Sequence, residues 1–170
     1  IGEPEGAERE ELDALFDTLD ALDVSVTLAP GNHDGGVAAA YADRLDLLSG
    51  AGQRFGPVGL LHGHTWPARD LLSAEVLCIG HEHPTVRLED SVGGSRAEKA
   101  WLRGPLRPDP FAEQADCAVA DLGWDGSPPE LIVFPTFTER SGGTWINVEG
   151  QEFLSPFLPD GLASGEAYLL

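Results

Sequence analysis

Two short apolar runs constrain this chain most. Val58-Gly59-Leu60-Leu61 and Glu75-Val76-Leu77-Cys78-Ile79 each read as a buried strand, and each ends abruptly in glycine and histidine. The first delivers His62-Gly63-His64 and the second Gly80-His81-Glu82-His83. A third run, Val24-Ser25-Val26-Thr27-Leu28, is rich in β-branched residues and stops at Ala29-Pro30-Gly31, where Asn32 and His33 emerge on a loop. Helical segments lie between these strands. Leu12, Leu15, Phe16, Leu19 and Leu22 recur at a helical period across residues 6–22, with acidic residues turned outward. A short helix is predicted over Val37–Arg44 and a helical turn over Pro67–Leu72. Strand, loop with polar side chains, helix, strand is the order of an α/β layered domain whose chemistry sits at the strand ends.

The second half is less regular. Strands are predicted over Val86–Leu88, Ala100–Leu102, Cys117–Leu122 and Leu131–Phe134, separated by turns such as Gly123-Trp124-Asp125-Gly126. Pro156–Leu170 reads as loop plus a short closing segment. No internal repeat or low-complexity tract is present, and residues 1–170 are read as a single domain, a length sufficient for a real core.

Charge narrows the function classes. Twenty-nine acidic residues stand against 10 basic ones, for a net charge of −19, and Lys99 is the only lysine. The carboxylates are spread along the chain, which suits a solvated acidic surface of the halophilic kind better than an acidic tail for a basic partner. A broad basic groove for nucleic acid is disfavoured. Arg87, Arg96, Arg103 and Arg107 follow the last histidine motif; they either line an approach for phosphate or pair with the surplus carboxylates. Two distant cysteines, Cys78 and Cys117, point to a buried thiol rather than a disulfide. No apolar stretch approaches the ~20 residues of a membrane span, and no signal peptide is evident, so a cytoplasmic protein without membrane partners is expected. The chain has no methionine, so Ile1 is expected to lie inside a longer protein.

All five histidines fall between residues 33 and 83, inside the three motifs. Histidine is the commonest metal ligand and the usual proton carrier near neutral pH. Alone, a His-x-His is weak evidence, because such pairs also arise on surfaces. Gly31-Asn32-His33-Asp34 says more: an amide oxygen beside an imidazole suits a dication such as Mn²⁺, Fe²⁺ or Zn²⁺. The bland alternative is a polar turn in which Asn32 or Asp34 caps the next helix. Three strand ends with the same chemistry favour a metal-assisted hydrolytic site.

In order and spacing, Gly-Asn-His-Asp, His-Gly-His after an apolar strand and Gly-His-x-His resemble the calcineurin-like metallophosphoesterase superfamily. Ile132-Val133-Phe134-Pro135-Thr136-Phe137, Ser141-Gly142-Gly143-Thr144 and Phe153-Leu154-Ser155-Pro156 are similar to the branch of predicted phosphoesterases that includes the DNA-ligase-associated type, as are His83-Pro84 and Trp101-Leu102-Arg103-Gly104. The resemblance spans Val24 to Pro156. It implies an α/β layered sandwich flanked by helices, and two divalent cations, Mn²⁺ first and Fe²⁺ or Zn²⁺ next. It also implies hydrolysis of a phosphodiester, nucleotide or nucleic-acid end by a two-metal-activated hydroxide, with functional association with DNA repair proteins. Asn32, His62 and His81 would ligate the second metal and His83 the first. His33 would act as the catalytic acid or stabilise the transferring phosphoryl group. His64 would orient His62 or bound the substrate pocket, and Asp34 would support its loop.

The family plan also places an Asp-x-His and a Gly-Asp before Gly31. Neither occurs here, so the resemblance implies an N-terminally incomplete domain whose first strands and first two metal motifs precede Ile1. Two classes of function follow. One is the dinuclear metallophosphoesterase, with the chain alone inactive. The other is a non-catalytic fragment or binding module that retains a partial mononuclear metal site built from neutral ligands.

Overall fold

The computed structural model describes residues 3–124, 127–138 and 141–170. The chain divides into two compact units, Ile1–Gly50 and Ala51–Leu170. The predicted turn Gly123–Gly126 lies in part outside the described residues, at positions 125 and 126.

In the first unit, helix α1 (Gly6–Ala21) precedes strand β1 (Thr27–Leu28), helix α2 (Gly35–Ala40) and strand β2 (Asp46–Leu47). One stripe of α1 holds the unit together. Phe16 is buried and stacks on Tyr41, with ring centroids 4.7 Å apart. The Tyr41 hydroxyl donates to Asp13 Oδ1 at 2.8 Å. Arg44 pairs with Asp17 at 2.8 Å and Asp20 at 2.5 Å, its guanidinium 5.4 Å from the centre of the Phe16 ring. Positions 13, 16, 17 and 20 lie on one helix face, so the helical period selects them together. The two short strands pair in parallel, Thr27 with Asp46 and Leu28 with Leu47.

The second unit is built on a mixed seven-stranded sheet. Its strands are β3 (Gln53–Phe55), β4 (Val58–Leu60), β5 (Val76–Ile79), β6 (Thr85–Glu89), β7 (Ser95–Pro105), β8 (Glu130–Val133) and β9 (Glu166–Leu169). They are ordered β3-β4-β5-β8-β7-β6, with β9 pairing β7. β4, β5 and β8 are parallel neighbours, and the remaining pairings are antiparallel. Leu77, Ile79, Leu131 and Val133 are each at most 1% exposed, so alternate residues of β5 and β8 form the heart of the core. The 3-10 turn Arg69–Ser73 links β4 to β5 and buries Leu71 and Leu72. Helix α3 (Pro108–Gln114) buries Phe111 against Trp66 and Phe157, with ring centroids 5.6 and 5.7 Å away. Both cysteines are free thiols.

The architecture is therefore α/β, as the strand and helix order predicts. Several local expectations need correction. Cys117–Leu122 is no strand: Cys117 N–H returns to Ala112 C=O, and Val119–Leu122 is a 3-10 turn. Only Leu122 of that run is buried, so a single apolar anchor replaces the alternation a strand would need. Val24 is exposed, and its N–H caps α1 at Leu19 C=O, which leaves only Thr27–Leu28 as strand. The helix predicted over Val37–Arg44 starts earlier, at Gly35, and ends at Ala40. Three of the late arginines pair with carboxylates, Arg87 with Glu89, Arg96 with Glu98 and Arg103 with Glu130. Among the described residues, no helix is long and apolar enough to cross a membrane.

Candidate functional site

The parallel pairing of β4 and β5 carries two histidine motifs to the same end of the sheet. Leu60 is in register with Cys78, and the ladder continues past the strands: the Gly80 and His81 N–H groups both donate to His62 C=O, at 3.0 and 2.9 Å. This is the carboxyl end of adjacent parallel strands, where open α/β sheets place ligand sites. Leu61 and Ile79, one residue before each exit, are buried and fix both strands in the core.

From these exits the side chains converge. His62 Nε2 lies 3.0 Å from His81 Nδ1. The His64 ring joins them, its centroid 5.3 Å from that of His62 and 6.1 Å from that of His81, while His62 and His81 are 4.8 Å apart. His64 Nδ1 is buried and has no hydrogen-bond partner. Gly63 makes the cluster feasible. Its φ is +107°, open to glycine and strained for other residues, and it turns the chain between two histidines that share a neighbourhood. A Cβ there would sit 3.2 Å from Ile79 and 3.3 Å from the Cβ of His81.

His83 is held differently. Its backbone is left-handed, φ +48°, although it carries a side chain and precedes proline. Its Nδ1 lies 3.2 Å from Gly142 C=O, and the Thr85 hydroxyl donates to its carbonyl at 3.3 Å. Strain of this kind is kept only where surrounding contacts over-determine it. Gly142 also borders a cavity of about 1130 Å³ lined by Trp101, Phe134, Phe137, Trp145 and Lys99.

Asn32 and His33 belong to the first unit, both exposed, with Asn32 Nδ2 3.4 Å from His33 Nε2. Asp34 accepts the Gly31 N–H at 2.8 Å, so it braces the turn that presents them.

Two residues that sequence reasoning passed over stand behind the His81–His83 loop of the second unit. Glu82, between His81 and His83, is wholly buried, and its carboxylate accepts from the Thr144 hydroxyl at 2.7 Å, from Leu154 N–H at 3.0 Å and from Ser155 N–H. Thr144 is 4% exposed, and its N–H and C=O bond the main chain of Glu82 and Thr85. A carboxylate between two histidines reads as a further ligand in sequence; only its distant donors reveal otherwise.

Comparison of the chain with family models, curated proteins and solved structures finds no match in any of the three. The site's own geometry therefore carries the functional argument. Two imidazole nitrogens 3.0 Å apart suit either a shared proton or a common cation, and a third buried imidazole nitrogen without a partner suits the cation. The fit is partial: among the described residues, no group of three or more His, Cys, Asp or Glu side chains could hold a metal ion.

Proposed function

We propose that this chain acts as a metal-dependent phosphoesterase of the calcineurin-like type, with the layered sandwich that type implies. The observation that carries the reading is the facing pair His62 and His81 at the ends of adjacent parallel strands. The order of the three histidine motifs supports it. His62 and His81 would hold one cation, and His83 would serve a second. Mn²⁺ is the first candidate, with Fe²⁺ and Zn²⁺ next. When bound, the cations supply an activated water and neutralise charge on a phosphate oxygen.

The chain's own residues divide the remaining work. For both facing nitrogens to offer lone pairs, the one proton between His62 Nε2 and His81 Nδ1 must leave that contact, each neutral ring keeping its own proton on its other nitrogen. His64 bounds the pocket beside them. His33 protonates the leaving oxygen. A nucleotide or nucleic-acid phosphodiester is the proposed substrate class, with DNA repair proteins as proposed associates.

That no group of three or more His, Cys, Asp or Glu side chains among the described residues could hold a metal ion favours a second reading, a binding module that holds one cation without turnover. One set of measurements separates the two. In high salt, the chain, alone and extended upstream of Ile1, is titrated with Mn²⁺ and with Zn²⁺ by calorimetry, and cation-dependent hydrolysis of an aryl phosphodiester is followed. The enzyme reading expects turnover, loss of cation binding in His81→Ala, and a fall in turnover of about 10²-fold in His33→Ala at unchanged cation binding. Binding without turnover transfers the site to the second reading, and absence of both sinks the two together.

A further inference from the structure

The histidine pair of the β5 exit is separated by a side chain that faces the other way. Glu82 is fully buried, yet among the described residues no cationic side chain meets it. Its partners are three donors drawn from two remote segments. Thr144 Oγ1 and Leu154 N–H converge on Oε2, and Ser155 N–H binds Oε1. The main chain repeats the link: Thr144 N–H donates to Glu82 C=O at 3.0 Å, and Thr85 N–H donates to Thr144 C=O at 2.9 Å. Gly143 comes so close to this junction that a Cβ would collide with His83 C=O and the Thr85 hydroxyl.

We infer that Glu82 is a positioning residue: it tethers the His81–His83 loop to Thr144 and to Leu154–Ser155, and so fixes where both imidazoles point. The argument is geometric. Glu82 is buried while His81 and His83 on either side of it are only partly buried, so anchoring its carboxylate fixes the stretch of main chain from which both imidazoles leave. The left-handed backbone of His83 needs over-determination. Carboxylate, Gly142 carbonyl and Gly143 contact supply it from one short stretch, residues 142–144. A buried carboxylate is tolerated only when its acceptor sites are filled. Here all three partners are donors, so filling them and orienting the loop are one event.

The inference uses the phosphoesterase reading only in its kinetic arm. The first measurement needs neither metal nor turnover: ¹H–¹⁵N spectra of the imidazole nitrogens in the metal-free chain. Thr144→Val removes one donor at nearly constant shape, and Thr144→Ser keeps it. Glu82→Gln is harsher, since an amide places an NH₂ group against at least one N–H donor. Leu122→Ala, a core truncation on the 3-10 turn, controls for lost stability. The expected result is that Thr144→Val shifts the His81 and His83 signals, that Thr144→Ser restores them, and that Leu122→Ala leaves them in place. Unmoved signals in a folded Thr144→Val, or equal shifts in the Leu122→Ala control, overturn the inference. If Glu82→Gln fails to fold, the threonine pair still decides. In the kinetic arm, Thr144→Val is expected to lower kcat about tenfold with KM within about twofold, as misaligned groups do. A wild-type chain that hydrolyses no phosphodiester even when extended upstream of Ile1 sinks the phosphoesterase reading and leaves the spectroscopic result to stand or fall alone.

Discussion

Gly63 and Gly80 flank the clustered imidazoles, and the structure assigns them opposite sensitivities. Gly63→Ala forces a side chain onto a backbone at φ +107° and presses its Cβ to 3.2 Å from both Ile79 Cβ and Cδ1, and to 3.3 Å from His81 Cβ. Backbone strain at such an angle costs about 1–3 kcal/mol. Overpacking a core wall adds about 1–3 kcal/mol, because Ile79 is 1% exposed and has nowhere to retreat. The expected loss is therefore about 2–5 kcal/mol, a large share of a domain's net stability. Gly80→Ala meets nothing within 4 Å and has no positive φ. Its effect should be neutral or a gain of about 0.4–1 kcal/mol, from reduced freedom of the unfolded chain. Urea unfolding in high salt, followed by tryptophan fluorescence, reads both. Because the added methyl of Gly63→Ala pushes on His81, cation affinity should fall with stability; in Gly80→Ala neither should fall. Equal midpoints for the two variants would refute the claim that Gly63 wedges the cluster.

Three other outcomes follow from the described packing. Burial raises the Cys78 thiol pKa above its ordinary value, so alkylation of native chain at pH 8 should be slow at Cys78 and become fast in denaturant. Tyr41 has its pKa raised, first by burial and then by its hydrogen bond to Asp13. A raised folded value means that the stability it contributes is complete below the unfolded tyrosine value of about 10 and is lost as pH rises through the folded value. Alkaline unfolding of the wild type should therefore show a decline above about pH 10 that Tyr41→Phe lacks. Leu131→Ala, at a site with 0% exposure, should cost about 2–5 kcal/mol in the same urea assay, and a smaller loss would mean the core beside β5 collapses easily.

What could be read from the sequence tracks burial. Val58–Leu60 and Val76–Ile79 were legible because a strand that buries alternate residues on a covered sheet must be apolar. β3 and β9 were not, since every residue of both is exposed and their sequences carry no apolar period. α3 was hidden by its two prolines, at 108 and 110, which look like turn signals yet fit a helix's first turn. Cys117–Leu122 misled for the converse reason: it is mostly apolar in composition but contributes one buried side chain. The imidazole cluster was legible in part, because two His-x-His motifs after two apolar runs meet wherever those strands pair in parallel. That His81 faces His62, while His83 turns to Gly142, depends on contacts 59 residues away and has no local signature.

Glu82 shows most clearly what spacing alone conceals. Its three donors lie 62, 72 and 73 residues along the chain, in Ser141–Thr144 and Phe153–Pro156, two of the segments that carry the family resemblance. In this structure those segments fill the acceptor sites of one carboxylate. That commitment also shapes cation choice. With Glu82 spent on the loop, the cluster His62, His64 and His81 offers imidazole nitrogen, and among the described residues no carboxylate completes it as a metal group. Hard Mg²⁺ and Ca²⁺, which depend on carboxylate and carbonyl oxygen, gain little there, whereas borderline Zn²⁺ and Fe²⁺ bind imidazole well. Mn²⁺ falls between, and needs oxygen donors beyond His62 and His81. The same buried carboxylate that orients the histidines therefore tilts the proposed site toward softer dications.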